Sequence, residues 1–106
     1  MGGVPEPHTG WTFLTNHARV LAAIAEDDTA RIRDIAAHCR LTERSVQNII
    51  SDLEHDGYLS RTREGRSNTY RIRADTALRH PADQHSTVAE LLSLLAQHDS
   101  TRAPAP

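Results

Sequence analysis

The sequence predicts a mostly helical α+β domain. Apolar residues recur at helical spacing in several stretches, and two alternating, β-rich segments flank a polar tip. With 38% hydrophobic and 25% charged residues, a chain of 106 residues has enough apolar material for one small core, since single domains commonly run to about 100–150 residues.

The first ten residues, Met1 to Gly10, hold three glycines and two prolines and are expected to form a flexible leader. Thr15 can then cap a helix from Asn16 to about Ala25, with Val20, Leu21 and Ile24 as its inward stripe. Glu26-Asp27-Asp28 closes it. Trp11 and Phe13 just before it read either as core packed on this helix or as part of a dimer contact. Ala30 to Ile32 is too short for an independent strand but can pair with the edge of a later hairpin. A compact helix follows over Asp34–His38, with Ile35 and Ala36 inward and the acid near the positive end of the helix dipole. His38-Cys39-Arg40-Leu41 makes a short turn, with Leu41 as the apolar plug beneath it and His38 as a partly exposed helix end.

The next helix runs from Thr42, its cap, to Asp56 and stops at Gly57, which suits the left-handed position after a helix. Helix, short turn and longer helix together form a helix-turn-helix unit. Val46, Ile49, Ile50 and Leu53 share one stripe, so at about 100° per residue Arg44, Gln47, Asn48 and Ser51 project from the other side. Solvated faces usually carry Glu and Lys. These side chains instead have the planar or short hydrogen-bonding groups that match base edges and phosphates in a major groove.

Tyr58–Arg63 and Thr69–Arg73 then alternate in type around Glu64-Gly65-Arg66-Ser67-Asn68, the pattern of a β-hairpin with a polar tip. Tyr70 and Ile72 fall on one face, Arg71 and Arg73 on the other. From His80-Pro81 the pattern breaks, and a last helix starting at Ser86 or Thr87 carries Val88, Leu91, Leu92 and Leu95, with Leu94 widening the stripe. That stripe needs cover, from the first helix or from its copy in a homodimer. The domain is accordingly placed at residues 11–79, the C-terminal helix at 80–98 and a disordered tail at 99–106.

The net charge of −2 excludes a protein that coats nucleic acid through bulk charge. Charge is nonetheless clustered. Between Arg40 and Arg73 seven arginines face five acids, and from Arg61 onward five face one. No lysine occurs in the chain, and arginine's fixed fork is the better ligand for phosphate and guanine.

Other classes find little support. No apolar run reaches the roughly 20 residues that span a bilayer, and the N-terminus carries neither a signal-peptide nor a myristoylation pattern, so a cytoplasmic protein is expected. The single cysteine, Cys39, cannot form an internal disulfide and reads as a small buried residue. The seven histidines show no metal-ligand spacing such as His-Glu-x-x-His, no nucleophile has a base beside it, and Gly65 stands alone where a phosphate loop would need several glycines. No enzyme activity and no cofactor are expected.

The runs Ile35–Val46, Leu53–Leu59 and Arg63–Ile72 resemble the winged helix-turn-helix of MarR-type and ArsR-type bacterial transcriptional regulators. The resemblance implies a two- or three-stranded β-wing and a C-terminal helix, with the helix opening at Thr42 in the major groove and the hairpin as the wing. It further implies base-edge contacts from Arg44, Gln47, Asn48 and Ser45, and phosphate contacts from Thr42, Ser51, Arg40 and Arg63. Arg66 and Asn68 belong to the wing tip, with Arg66 placed for a narrowed, negative minor groove. A two-fold dimer would set two such helices about one DNA turn apart on an inverted-repeat operator, with repression as the simplest output. The chain is shorter than typical MarR proteins and lacks the paired cysteines of metal-sensing ArsR proteins, so metal sensing is not expected. The rival expectation is a winged helix used for protein contact through the leucines of the last helix.

Overall fold

Thr15 starts the first helix: its hydroxyl accepts the Ala18 amide at 3.1 Å, and α1 (Asn16–Glu26) follows with Val20, Leu21 and Ile24 buried. The structure is a computed structural model and describes residues 11–102. The expected leader at 1–10 and the residues 103–106 of the expected tail lie outside the described residues.

Beyond α1 the chain turns instead of extending. The Asp27 carboxylate accepts from the Thr29 amide and hydroxyl at 3.1 and 2.8 Å, and the Ala30 amide bonds back to the Asp27 carbonyl at 3.1 Å. This local bonding rules out the hairpin-edge pairing anticipated for Ala30–Ile32, because Ile32 is already the first residue of α2 (Ile32–Cys39). What survives of the pairing is one bond, from the Tyr70 amide to the Asp28 carbonyl at 2.9 Å. The helix is also longer than the Asp34–His38 expected. Ile35 and Ala36 are buried, and Ile32, Cys39 and Leu41 pack at the edge of the core.

Cys39 is thus half-buried, where full burial was expected. Burial pushes its thiol pKa up, and the opposing pull of Arg19 is weaker.

α3 (Glu43–His55) buries Val46, Ile49, Ile50 and Leu53, the stripe read from spacing. It ends where glycine permits. Gly57 has φ 85°, its amide reaches the Glu54 carbonyl at 3.1 Å, and the Tyr58 amide reaches the Leu53 carbonyl at 2.9 Å, the paired bonds of a Schellman cap. The chain then enters β1 (Leu59–Glu64) and returns as β2 (Ser67–Ile72), antiparallel, in register from Leu59↔Ile72 to Glu64↔Ser67. The strands run further than expected and leave only Gly65 and Arg66 as the tip, with φ 64° at Gly65. Among the described residues the sheet has two strands, the lower of the two numbers anticipated.

A loop with one 3-10 turn (Pro81–Asp83) leads to α4 (Val88–Arg102). Thr87 and Glu90 open it with a reciprocal capping box, at 2.8 and 3.3 Å. Val88 is buried and Leu92 packs on the core, where α4 meets α1. α4 continues past His98, where the tail was expected to begin, because no glycine or proline occurs before Pro104 to stop it. Trp11 and Phe13 are not core. They pair edge to face at 4.9 Å with 77% and 91% of their surface exposed, because Val20, Leu21 and Ile24 already fill the inner side of α1.

Candidate nucleic-acid interface

With one face of α3 buried, its opposite face is defined by geometry. Arg44, Gln47, Asn48 and Ser51 are all exposed, and Arg44, Asn48, Ser51 and His55 recur at i, i+4, i+7 and i+11 along one stripe. His55 was absent from the sequence-derived set. The same spacing rule points to it, but at the helix end it reads first as a partner for the C-terminal dipole.

The two flanks of α3 are held differently. On one, Asp52 meets His17 of α1 at 2.9 Å and Asp56 pairs with Arg79 of the following loop. On the other, Glu54 receives two bonds from Arg61 of β1, at 3.1 and 2.8 Å. This pair sits partly out of water, so it outranks a fully exposed ion pair, and it fixes the hairpin to the flank of α3 that also bears Gln47. It also changes the charge count: Arg61 is neutralised from outside the hairpin, a compensation invisible when acids are counted only within it.

Strand register decides where the remaining wing side chains point. Leu59, Arg61 and Arg63 share a face with Ile72, Tyr70 and Asn68, whereas Ser60, Thr62 and Glu64 share the other with Arg71, Thr69 and Ser67. Arg63 and Asn68 are direct cross-strand partners on the face that rests on α3, two residues further out than the Arg61–Glu54 pair. The wing acid, Glu64, is on the opposite face. Arg66 stands exposed at the tip, and Arg63 Nε donates to the Gly65 carbonyl at 3.3 Å, with no partner for its terminal nitrogens among the described residues. The structure therefore leaves Arg44, Asn48 and Ser51 exposed on the outer stripe of α3, Gln47 on the flank that Arg61 holds, and Arg63 and Asn68 on the hairpin face turned to α3, with Arg66 exposed at the tip.

Thr42 and Ser45 are placed differently. The Thr42 hydroxyl accepts the Ser45 amide at 3.0 Å and donates to Ser45 Oγ at 2.9 Å, so it is spent on starting the helix, while the Ser45 hydroxyl keeps its own hydrogen to give. Ser45 is half-buried. Thr42→Ala should cost about 1 kcal/mol in urea unfolding, with the first turn of α3 losing amide protection first. Arg40, also exposed, occupies the left-handed region at φ 60° between α2 and α3.

Residues 11–67 match the MarR family model, which is more than half of the chain. The chain belongs to the MarR family. That family is one of transcriptional regulators and not of enzymes. Solved structures agree on the fold. The MarR family transcriptional regulator SPO1453 from Silicibacter pomeroyi DSS-3 superposes with a TM-score of 0.53 at 21% identity, over 82% of this chain and 57% of that one. MepR, a regulator of the Staphylococcus aureus multidrug efflux pump MepA, gives 0.52 at 17%, over 81% and 60%. The zinc-responsive ZitR of Lactococcus lactis gives 0.54 at 11%, over 92% and 61%. The chain thus spans about six-tenths of the length of the structures it matches. No curated protein matches it in sequence. Among the described residues no helix is long and apolar enough to cross a membrane.

Proposed function

We propose that this MarR-family chain is a sequence-specific double-stranded DNA-binding transcriptional regulator, most simply a repressor, with α3 in the major groove and the wing tip at the adjacent minor groove. One observation carries the reading: the Arg61–Glu54 pair and the strand register turn Arg63, Asn68 and the outer stripe of α3 to the same side. Arg44 can bridge guanine O6 and N7, Gln47 and Asn48 can bridge adenine N6 and N7, and Ser45 has a hydroxyl hydrogen to give. Arg63, Arg40 and Ser51 hold phosphates, and Thr42 orders the helix start. Asn68 and Arg66 extend the grip along the wing, with Arg66 in a narrowed, negative groove.

Trp11 and Phe13 before α1 and Leu94 on α4 expose apolar surface, which suits a homodimer pairing through the α1 and α4 end. Two copies would favour an inverted-repeat operator with half-sites about one DNA turn apart. The same apolar surface supports the second reading, a winged helix that binds protein and not specific DNA. A gel shift at moderate salt separates them, because only a specific DNA binder leaves a band that resists random competitor. Selection of bound fragments from random DNA would then yield half-site and spacing together. Within this reading Arg66→Ala should weaken binding to all duplexes and lower the slope of log K against log salt by about 0.9, one phosphate's worth. An unchanged slope would remove Arg66 from the interface.

A further inference from the structure

One cleft is left over once the outer stripe of α3 and the wing have been assigned to DNA. Leu14 before α1, Leu21 on it, Leu53 of α3, Leu78 of the loop, and Val88 and Leu91 of α4 line an open cavity of about 640 Å³. That is the size of cavities that enclose small ligands, with room for an aromatic ring or two. Its polar rim is largely spent. Asp52 holds His17 and Asp56 holds Arg79, while the Asp83 carboxylate has no partner among the described residues.

Beside the cleft stands an aromatic arm that the fold does not use. Phe13 lies at the cleft's edge yet is 91% exposed, and Trp11, 77% exposed, meets it edge to face at 4.9 Å. Local bonds set the course of this arm: the Thr12 hydroxyl donates to the Leu14 carbonyl at 2.7 Å, and the Thr15 hydroxyl accepts the Ala18 amide at 3.1 Å. On that course the rings leave their own cleft unfilled. Leu94, three residues beyond Leu91 on α4 and 64% exposed, extends the apolar rim.

We infer that two copies of the chain exchange these arms, Trp11 and Phe13 of each seating in the cleft of the other. This rests on the homodimer of the reading above and names the residues that join it. In a two-fold pairing residue i meets j and j meets i, so an arm that adjoins its own cleft brings both contacts together about one axis. Four rings that are now mostly exposed, each able to bury about 150–250 Å², amount with the surface they cover to about 1,000–1,700 Å². Stable, specific interfaces bury about 1,200–2,000 Å², so the exchange supplies most or all of what a dimer needs. Asp83 offers an acceptor for the indole N–H, which a buried tryptophan requires.

Trp11 is the single tryptophan of the chain, so its emission reports this contact alone. The test follows sedimentation velocity and tryptophan fluorescence of the full chain across one dilution series. The dimer should dissociate on dilution while Trp11 emission moves to the red with the same midpoint. Phe13→Ala should weaken the dimer at least about tenfold, and it should leave the thermal midpoint of the diluted monomer unchanged, since within its own chain Phe13 meets only the Trp11 ring. Leu91→Gln, its folding checked by circular dichroism, should keep Trp11 in water at concentrations where the wild type pairs; if it does not fold, Phe13→Ala decides. Variants that pair like wild type overturn the exchange, and they carry the test where the wild-type dimer is too tight to dilute. A dimer whose Trp11 stays solvated at every concentration overturns the exchange and leaves the homodimer standing. A monomer with Trp11 buried at every dilution has closed the arm on its own cleft, which also overturns it. A monomer with solvated Trp11 throughout removes the homodimer and the exchange together, while the DNA reading is decided separately by the gel shift.

Discussion

Ile50→Ala should unfold a large part of the molecule at urea concentrations the wild type tolerates, with a stability loss of about 2–5 kcal/mol. Ile50 is 1% exposed and lies at the centre of the stripe that α3 presents to the core, beside Val46, Ile49 and Leu53. Removing three carbons there sacrifices their transfer free energy and leaves a hole in the core that α3 shares with α1, α2 and the hairpin base. A domain of this size is stable by only about 5–15 kcal/mol, so this loss is a sizeable share. The contrast is Gln47→Ala, three residues earlier on the exposed side of the same helix, which should shift the urea midpoint by no more than about 0.5 kcal/mol. Equal losses for the two would mean that α3 is not anchored as the coordinates show. The consequence is functional, because the outer stripe of α3 has a fixed direction only while the inner one is packed.

Arg44→Ala should cost about 1–3 kcal/mol on a selected duplex and much less on a random one, so that sequence preference collapses while non-specific binding survives. Arg44 is exposed in the first turn of α3 and makes no side-chain hydrogen bond or ion pair within the described residues. Substitution therefore removes no fold contact, and the thermal midpoint should stay near that of wild type. Competition anisotropy with both duplexes measures the two losses side by side. A matching loss on both would move Arg44 from reading bases to holding phosphates, the role assigned to Arg40, Arg63 and Ser51.

The two largest signals in the chain were legible from spacing alone. Val46, Ile49, Ile50 and Leu53 at helical intervals, with Thr42 and Gly57 as end markers, defined α3 because each cue is local and chemically specific. The hairpin was likewise readable, but its register was not, and register decides that Arg63 and Asn68 face α3 while Glu64 does not. The Arg61–Glu54 pair was hidden for a related reason: its partners are seven residues apart across a helix end and a turn, a spacing without periodic meaning. The edge pairing of Ala30–Ile32 failed because the Asp27 side chain competes for the backbone, turning a segment whose composition alone permits extension. Trp11 and Phe13 show a further gap, since hydrophobicity marks residues that need cover without saying which molecule supplies it. Arg40 went unremarked as a strained residue because nothing in its side chain announces a left-handed backbone.

The measurement closest to the central claim is an amide chemical-shift titration of the isotope-labelled protein with a duplex selected from random DNA. Perturbations should cluster on Arg44, Gln47, Asn48 and Ser51 of α3 and on Arg63, Arg66 and Asn68 of the wing, saturating together at one protein-to-DNA ratio. Shifts confined to the surface around Trp11, Phe13 and Leu94, or wing amides that stay unmoved while α3 saturates, would contradict a shared duplex-binding side.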